Sequence, residues 1–398
     1  MLGGVWLVYF CFGLTSGALP PLVSIIRAEL SLSGSAMGSV LGAWQLIYIG
    51  AAIPLGMVLD RMGPRRALLV AALIIALSGA LRAAATDHIT LFLAVALFGM
   101  GGPLISIGAP KLVAVWFDHR QRGLAMGLYI TGPALGGIVA LTATNSIAMP
   151  VAGGNWRLVL LAYAVFVVLA SGVWLLISSH PAVRDSEADI KNTKRPPTRE
   201  VFSQLLQVPA VRLLLLMSIG IFFFNHGLSN WMPEILRSGG MSVQAAGMWA
   251  AIPVAIGIVA AVVFSRLATP KRRYWVMLYL LVCGIGASLL LQSNALPILT
   301  LGLVLQGMGH GTMMTIAMLM LVEQPEVGAQ RAGMAGGLFF AAAEIGGVLG
   351  PLSMGVLFDA TGGFSLSLAA LTAIMAILVL LLLRLWSVAP ARPEAFSA

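Results

Sequence analysis

Long apolar runs alternate with short polar breaks along almost the whole chain. Twelve windows are apolar over a span-like length: residues 3–26, 36–59, 67–86, 90–116, 123–148, 157–178, 211–236, 243–266, 274–292, 297–321, 332–357 and 365–386. A helix rising 1.5 Å per residue crosses the ~30 Å hydrocarbon core in about 20 residues. Each window therefore predicts a membrane-spanning helix. No run of about ten residues alternates apolar and polar at period two, so a membrane β-barrel is not predicted. Helices and closed barrels are the only spanning solutions, which leaves an all-α bundle of twelve transmembrane helices. One polar stretch, residues 179–210, interrupts the pattern and reads as a solvated linker. It holds Arg184, Asp185, Glu187, Asp189, Lys191, Lys194, Arg195, Pro196, Pro197 and Arg199. The expected organisation is a six-helix bundle over 1–178, a cytoplasmic linker over 179–210, and a second six-helix bundle with a short tail over 211–398.

Composition sharpens this picture. The chain is 59% hydrophobic and 9% charged, against about 25% charged in soluble domains, so a soluble globular class is excluded. A net charge of +9 by itself hints at nucleic acid, but its distribution points to topology. If both termini and the linker share one side, the loops there carry nineteen of the 23 basic residues. The other side carries Arg27, Arg82, Arg157 and Arg237. By the positive-inside rule both termini are expected in the cytoplasm, in a bacterial-type inner membrane, with no nucleic-acid partner. Cys11 and Cys283 both fall inside apolar runs, with no disulfide or metal spacing. No basic region precedes the first apolar run, which reads as a retained span and not a signal peptide.

The two halves echo each other at an offset near 205–208. Gly42-Ala43-Trp44 parallels Gly247-Met248-Trp249, Gly99-Met100-Gly101 parallels Gly307-Met308-Gly309, and Arg122-Gly123 parallels Arg331-Ala332. Asp60-Arg61 with Arg65-Arg66 parallels Ser265-Arg266 with Lys271-Arg272. Four matches at nearly one offset point to duplicated six-helix halves.

Between the second and third windows lies Gly56-Met57-Val58-Leu59-Asp60-Arg61-Met62-Gly63-Pro64-Arg65-Arg66. This turn resembles the loop signature of the major facilitator superfamily, matched by Gly56, Asp60, Arg61, Gly63, Arg65 and Arg66. The resemblance covers the whole chain: twelve spans, a six-plus-six division, a central cytoplasmic loop and the signature turn. It implies two bundles rocking about a central cavity with solute bound near the midplane. It places the first, fourth, seventh and tenth spans centrally in the cavity wall, and the second, fifth, eighth and eleventh laterally. It also implies a monomer. Asp60 is expected to meet the positive N-terminal end of the eleventh span, with Arg120 or Arg122 nearby, when the protein opens outward. The alternative for this turn is topogenic charge alone. The eighth-to-ninth loop lacks the acid, so a latch is expected on one side only.

Candidate chemistry sits inside the spans. Glu344 lies about twelve residues into the eleventh span. A lone carboxylate at mid-membrane costs ~2.5–3.5 kcal/mol or more and is functional by default. Its bland alternative is a neutral, hydrogen-bonded structural acid. His226 lies mid-way along the seventh span beside Asn225, with Ser229 and Asn230 on one stripe. Gly227 and Pro233 are expected to let that helix bend or unwind. His310, between Gly309 and Gly311, follows Gln306 by one turn in the tenth span. Together these predict a titratable cluster in the C-terminal half, suited to proton coupling. The N-terminal half offers neutral groups: Tyr9, Trp44, Gln45, Tyr48 and Ser106, equally readable as packing residues. Lys111 either draws an anion inward or snorkels to the interface.

Two functions from one class follow. The first is proton-coupled transport of a small organic solute, with an organic anion or monocarboxylate favoured by short stretches similar to the cyanate- and nitroimidazole-related and organic-anion branches: Gly108-Ala109-Pro110-Lys111 and Asn230-Trp231-Met232-Pro233. The second is proton-driven efflux of lipophilic cations, with Glu344 as counter-charge. The glycines of the fifth span, Gly127, Gly132, Gly136 and Gly137, partly resemble the antiporter signature of drug-efflux members. An enzyme is not expected: no phosphate loop or metal-ligand spacing occurs, and the linker is too short for a catalytic domain. No cofactor or metal is expected.

Overall fold

In a computed structural model the protein is described over residues 1–117, 119–179 and 198–388, without the side chains of Asp60, Arg120 and several others. Among those residues it is helical with no strand. Eleven helices or helix runs are long and apolar enough to cross a membrane. They are Leu2–Glu29, Pro64–Ala83, His88–Val113, Gln121–Val151, Trp156–Ser178, Pro209–Ser238, Val243–Leu267, Arg273–Leu290, Leu296–Val322, Arg331–Thr361 and Ser365–Val388. Gly34–Met62, 29 residues long, supplies the second of twelve. The spans are numbered one to twelve below.

Consecutive spans reverse direction, so the starts of even-numbered spans share one end of the molecule, opposite the chain termini. Four helix starts at that end are capped by side chains. Ser33 Oγ accepts from Ala36 N at 3.0 Å, Asp87 forms a capping box with Thr90, Asn155 Oδ1 accepts from Arg157 N at 2.9 Å, and Ser242 Oγ accepts from Ala245 N at 3.2 Å. Each satisfies an amide that a helix start leaves unpaired. The backbone hydrogen bonds of Thr90 hold the Asp87 carboxyl below its ordinary range. At the termini end, proline starts the third and seventh spans, Pro64 and Pro209, where its missing N–H is no loss.

Small residues set the helix pairing. A Cβ at Gly132 or Gly136 in the fifth span would collide with the backbone of Trp6 or Phe10 in the first. Gly346 and Gly350 in the eleventh span approach Ile219 and Phe223 in the seventh in the same way. Lipid tails are as apolar as the helices, so association rests on this close packing. The same relation in both halves gives physical content to the repeat.

Several expectations change. The seventh span is continuous from Pro209 to Ser238 through Gly227 and Pro233, so it neither unwinds nor opens. The breaks fall elsewhere. The first span stops at Ser16, passes a short 3-10 turn Pro20–Leu22 and resumes at Val23. The tenth stops at Gly309 and restarts at Thr312, with Gly311 left-handed at φ 73°. Gly311 fits there because that backbone region strains a side chain. The stretch read as a solvated linker contains a helix, Thr198–Gln207, whose Leu205 is buried. Residues 180–197 lie outside the described structure. Arg82, read as a loop residue, is only 1% exposed inside the bundle.

Candidate functional site

The signature turn is a one-residue reversal. The second span ends at Met62 and the third begins at Pro64, joined by Gly63 at φ 85°. Only glycine takes that angle without strain, which accounts for its place in the motif. Gly56 approaches Ile107 of the fourth span. Arg65 donates to Ser179 Oγ at 3.4 Å, and its carbonyl accepts from Trp174 at 3.1 Å, so it ties the turn to the sixth span. Arg61 and Arg66 are exposed and Arg122 is half-buried. The side chains of Asp60 and Arg120 lie outside the described residues, so their pairing is left as an expectation.

Polar side chains from both halves meet in the middle of the bundle. Gln45 Nε2 lies 3.2 Å from His226 Nδ1, joining the second span to the seventh. Trp44 meets the His226 ring edge-on at 5.9 Å, and Phe222 lies 5.2 Å from it. His310 is near enough to interact electrostatically with His226. Glu344 is 4% exposed, and its Oε2 has no hydrogen-bond partner. A Cβ added at Gly347 would sit 2.7 Å from that oxygen and 3.0 Å from Gln45 Cγ. The carboxylate and Gln45 thus crowd the same glycine across the boundary between halves. Tyr48 interacts electrostatically with Glu344 and hydrogen-bonds Ser106 at 3.0 Å, bringing in the fourth span.

The sequence-derived group therefore converges in large part. Glu344, His226, His310, Gln45, Tyr48 and Trp44 form one neighbourhood. Asn225 and Gln306 are buried with their carbonyl oxygens unpartnered. Asn230 turns back on its own helix, donating to the His226 carbonyl at 2.8 Å. Tyr9 stacks on Phe12 and lies tilted against Tyr129 within the first half. Among the described residues no group of three His, Cys, Asp or Glu gathers closely enough to hold a metal ion.

Three features were not singled out beforehand. Thr312 is buried at the tenth-span break with Oγ1 unpartnered; its signal was the preceding His310-Gly311. Arg82 donates to the Thr15 carbonyl at 2.8 Å and lies 5.2 Å from the Phe98 ring centre. It meets the carbonyl end of the broken first span, where a cation is favourable. Nothing in the local sequence distinguishes it from a loop arginine. Asp359, at the end of the eleventh span, accepts from Gly34 N and Ser35 N.

A model of the Major Facilitator Superfamily matches residues 5–328 and 240–398. The chain belongs to that superfamily. It is 25% identical to a hexuronate transporter of Bacillus subtilis (strain 168), covering 88% of this chain and 86% of the relative. It is 26% identical to the 2-nitroimidazole transporter of Escherichia coli (strain K12), covering 95% and 93%. Among solved structures, a bacterial homologue of the human lysosomal transporter Spinster, in an inward-facing and occupied conformation, superposes with TM-score 0.78. That match is 17% identical and covers 97% of this chain and 96% of the other. The protein is an integral membrane transporter of small molecules and not an enzyme.

Proposed function

We propose that the protein carries a small organic anion, coupled to protons, by alternating access between two six-helix halves, residues 1–178 and 211–398. The observation that carries this reading is Glu344: a buried carboxylate with one unpartnered oxygen, set where Gln45 and His226 bridge the halves. A fixed charge there is costly and is tolerated in exchange for function. With Glu344 protonated, the neighbourhood loses its negative charge. A carboxylate solute is then admitted among the polar groups of Gln45, His226 and His310. Loss of the proton repels the solute and drives release. The hexuronate relative supports the organic-anion class. Loop arginines support both termini in the cytoplasm of a bacterial-type inner membrane, and on that orientation the conformation is inward-open. Asp60 then serves the opposite, outward-open state.

The test is proton movement in proteoliposomes under a set pH gradient while organic anions are added. Wild type is expected to move protons with a hexuronate or monocarboxylate, and Glu344→Gln to bind solute without proton flux. Persisting solute-driven flux in Glu344→Gln overturns the role of Glu344.

A second reading has its own observation. Aromatic rings surround the acid's neighbourhood: Trp44 stands edge-on to Phe12, Phe98 and Tyr48 at 6.0, 5.7 and 6.3 Å. Such faces attract organic cations, with Glu344 as counter-charge for proton-driven efflux. Proton flux with lipophilic cations and none with organic anions decides for it.

A further inference from the structure

The second and eleventh spans run antiparallel, and each ends in an acid three residues before a glycine: Asp60 with Gly63, and Asp359 with Gly362. An acid in the last turn faces its own helix's negative end. Such a placement is favourable only when another group supplies compensation. For Asp359 the structure shows it. Oδ1 accepts from Gly34 N at 2.6 Å and Oδ2 from Ser35 N at 2.7 Å, the first turn of the second span in the other half. Both contacts are short, as charge-assisted bonds are. Arg27, also from the first half, stacks on the Phe358 ring at 4.9 Å and adds a positive charge beside the carboxylate. Gly34 makes this approach possible, because a Cβ there would sit 2.7 Å from Asp359 Oδ1 and 2.8 Å from the Gly355 carbonyl.

We infer that Asp359 is a positioning residue that latches the halves shut at the end opposite the chain termini, as the reciprocal of the Asp60 signature. Asp359 caps the N-terminus of the second span in this state, and the family resemblance implies that Asp60 caps that of the eleventh in the opposite one. Opening this end removes both amides from Asp359 and leaves it at the negative end of its own helix, so the contact biases the equilibrium toward the present state. The sequence expectation of a one-sided latch looked for the partner in the eighth-to-ninth loop. The pairing instead exchanges the ends of the two spans that touch across the halves.

The inference rests on the alternating-access reading, but not on proton coupling or on any solute. It is tested by double electron–electron resonance in liposomes, with spin labels at the exposed Val151 and Ala295, one per half at this end. Cys11 and Cys283, both buried, are replaced in the background. Asp359→Asn and Asp359→Ala are expected to raise the ratio of long to short distances about tenfold, the effect of losing charge-assisted bonds. Gly34→Ala, which leaves the acid in place, is expected to move it the same way, and Asp60→Asn the opposite way. Unchanged distributions in both Asp359 variants, or a shift of Asp60→Asn in the same direction as theirs, overturn the latch. Failure of solute-driven proton flux bears on the coupling reading alone, since the distance measurement needs neither solute nor gradient.

Discussion

The second and eleventh spans meet in two different ways along their length. Toward the end away from the termini they are in backbone contact: a Cβ at Gly34, Gly38 or Gly42 would strike the carbonyl of Gly355, Pro351 or Val348. Toward the termini they part. Gly50 has nothing within reach, Gly56 touches only Ile107 of its own half, and Gly333 and Gly337 face open space. The change comes at Gln45, Gly347 and Glu344. The polar cluster therefore sits where packed helices give way to separated ones. A side chain there feels any change in the angle between the halves, while its polar atoms stay within reach of both. The proposed alternating-access cycle needs its site at such a point, because solute is met first from one face and then from the other.

This contrast can be broken or sharpened by substitution. The largest effect on the closed seam is expected from Gly38→Leu, which drives a side chain into the Pro351 carbonyl. Overpacking of this kind costs ~1–3 kcal/mol. The present conformation should lose population by about five- to a hundredfold, read as solute exchange and as spin-label distance at this end. Gly337→Leu on the open stretch is the matched control. It meets nothing in this state, so thermal stability should stay within about 0.5 kcal/mol of wild type. Exchange should still fall, because in the proposed alternating-access cycle the same stretch approaches the other half when the protein opens the opposite way. Equal loss of stability in both variants would remove the distinction between the two stretches. The smallest effect is expected from Tyr48→Phe, which removes the hydroxyl that bonds Ser106. One such bond is worth ~1 kcal/mol, so the apparent solute affinity should change by about fivefold with the fold intact, measured as a KM shift in proteoliposomes.

Much of the candidate site was legible because the bilayer penalises its residue types. Glu344, His226, His310 and Gln45 stand out in apolar windows, where an ionisable or amide group needs a reason to be present. Their convergence followed from placing them on cavity-lining spans, and the Gln45–His226 contact realises it. Backbone breaks were less legible. Gly227 and Pro233 look like helix breakers, yet the seventh span runs straight through them, while the tenth breaks at His310-Gly311. Neighbouring helices supply what a freed backbone group lacks, so the residue types alone do not select which candidate bends. Asn230 illustrates the same limit. Its amide was read with the stripe that includes His226, but it satisfies its own helix backbone at His226.

Spans, reversals and membrane residence were determined by the sequence alone. A ~30 Å apolar slab demands about 20 apolar residues and internal backbone hydrogen bonding, and that demand is local. The tight turn at Gly63 was equally readable, since one residue must reverse the chain. Which end of the bundle is shut, and what shuts it, belongs to the tertiary structure. Asp359 lies 324 residues from Ser35, and nothing local marks it as a cap for another helix. Arg82 likewise looks like a loop cation until the broken first span turns the Thr15 carbonyl toward it. Charges are read locally by solvent, but inside a bundle their meaning depends on which helix end packing brings to them.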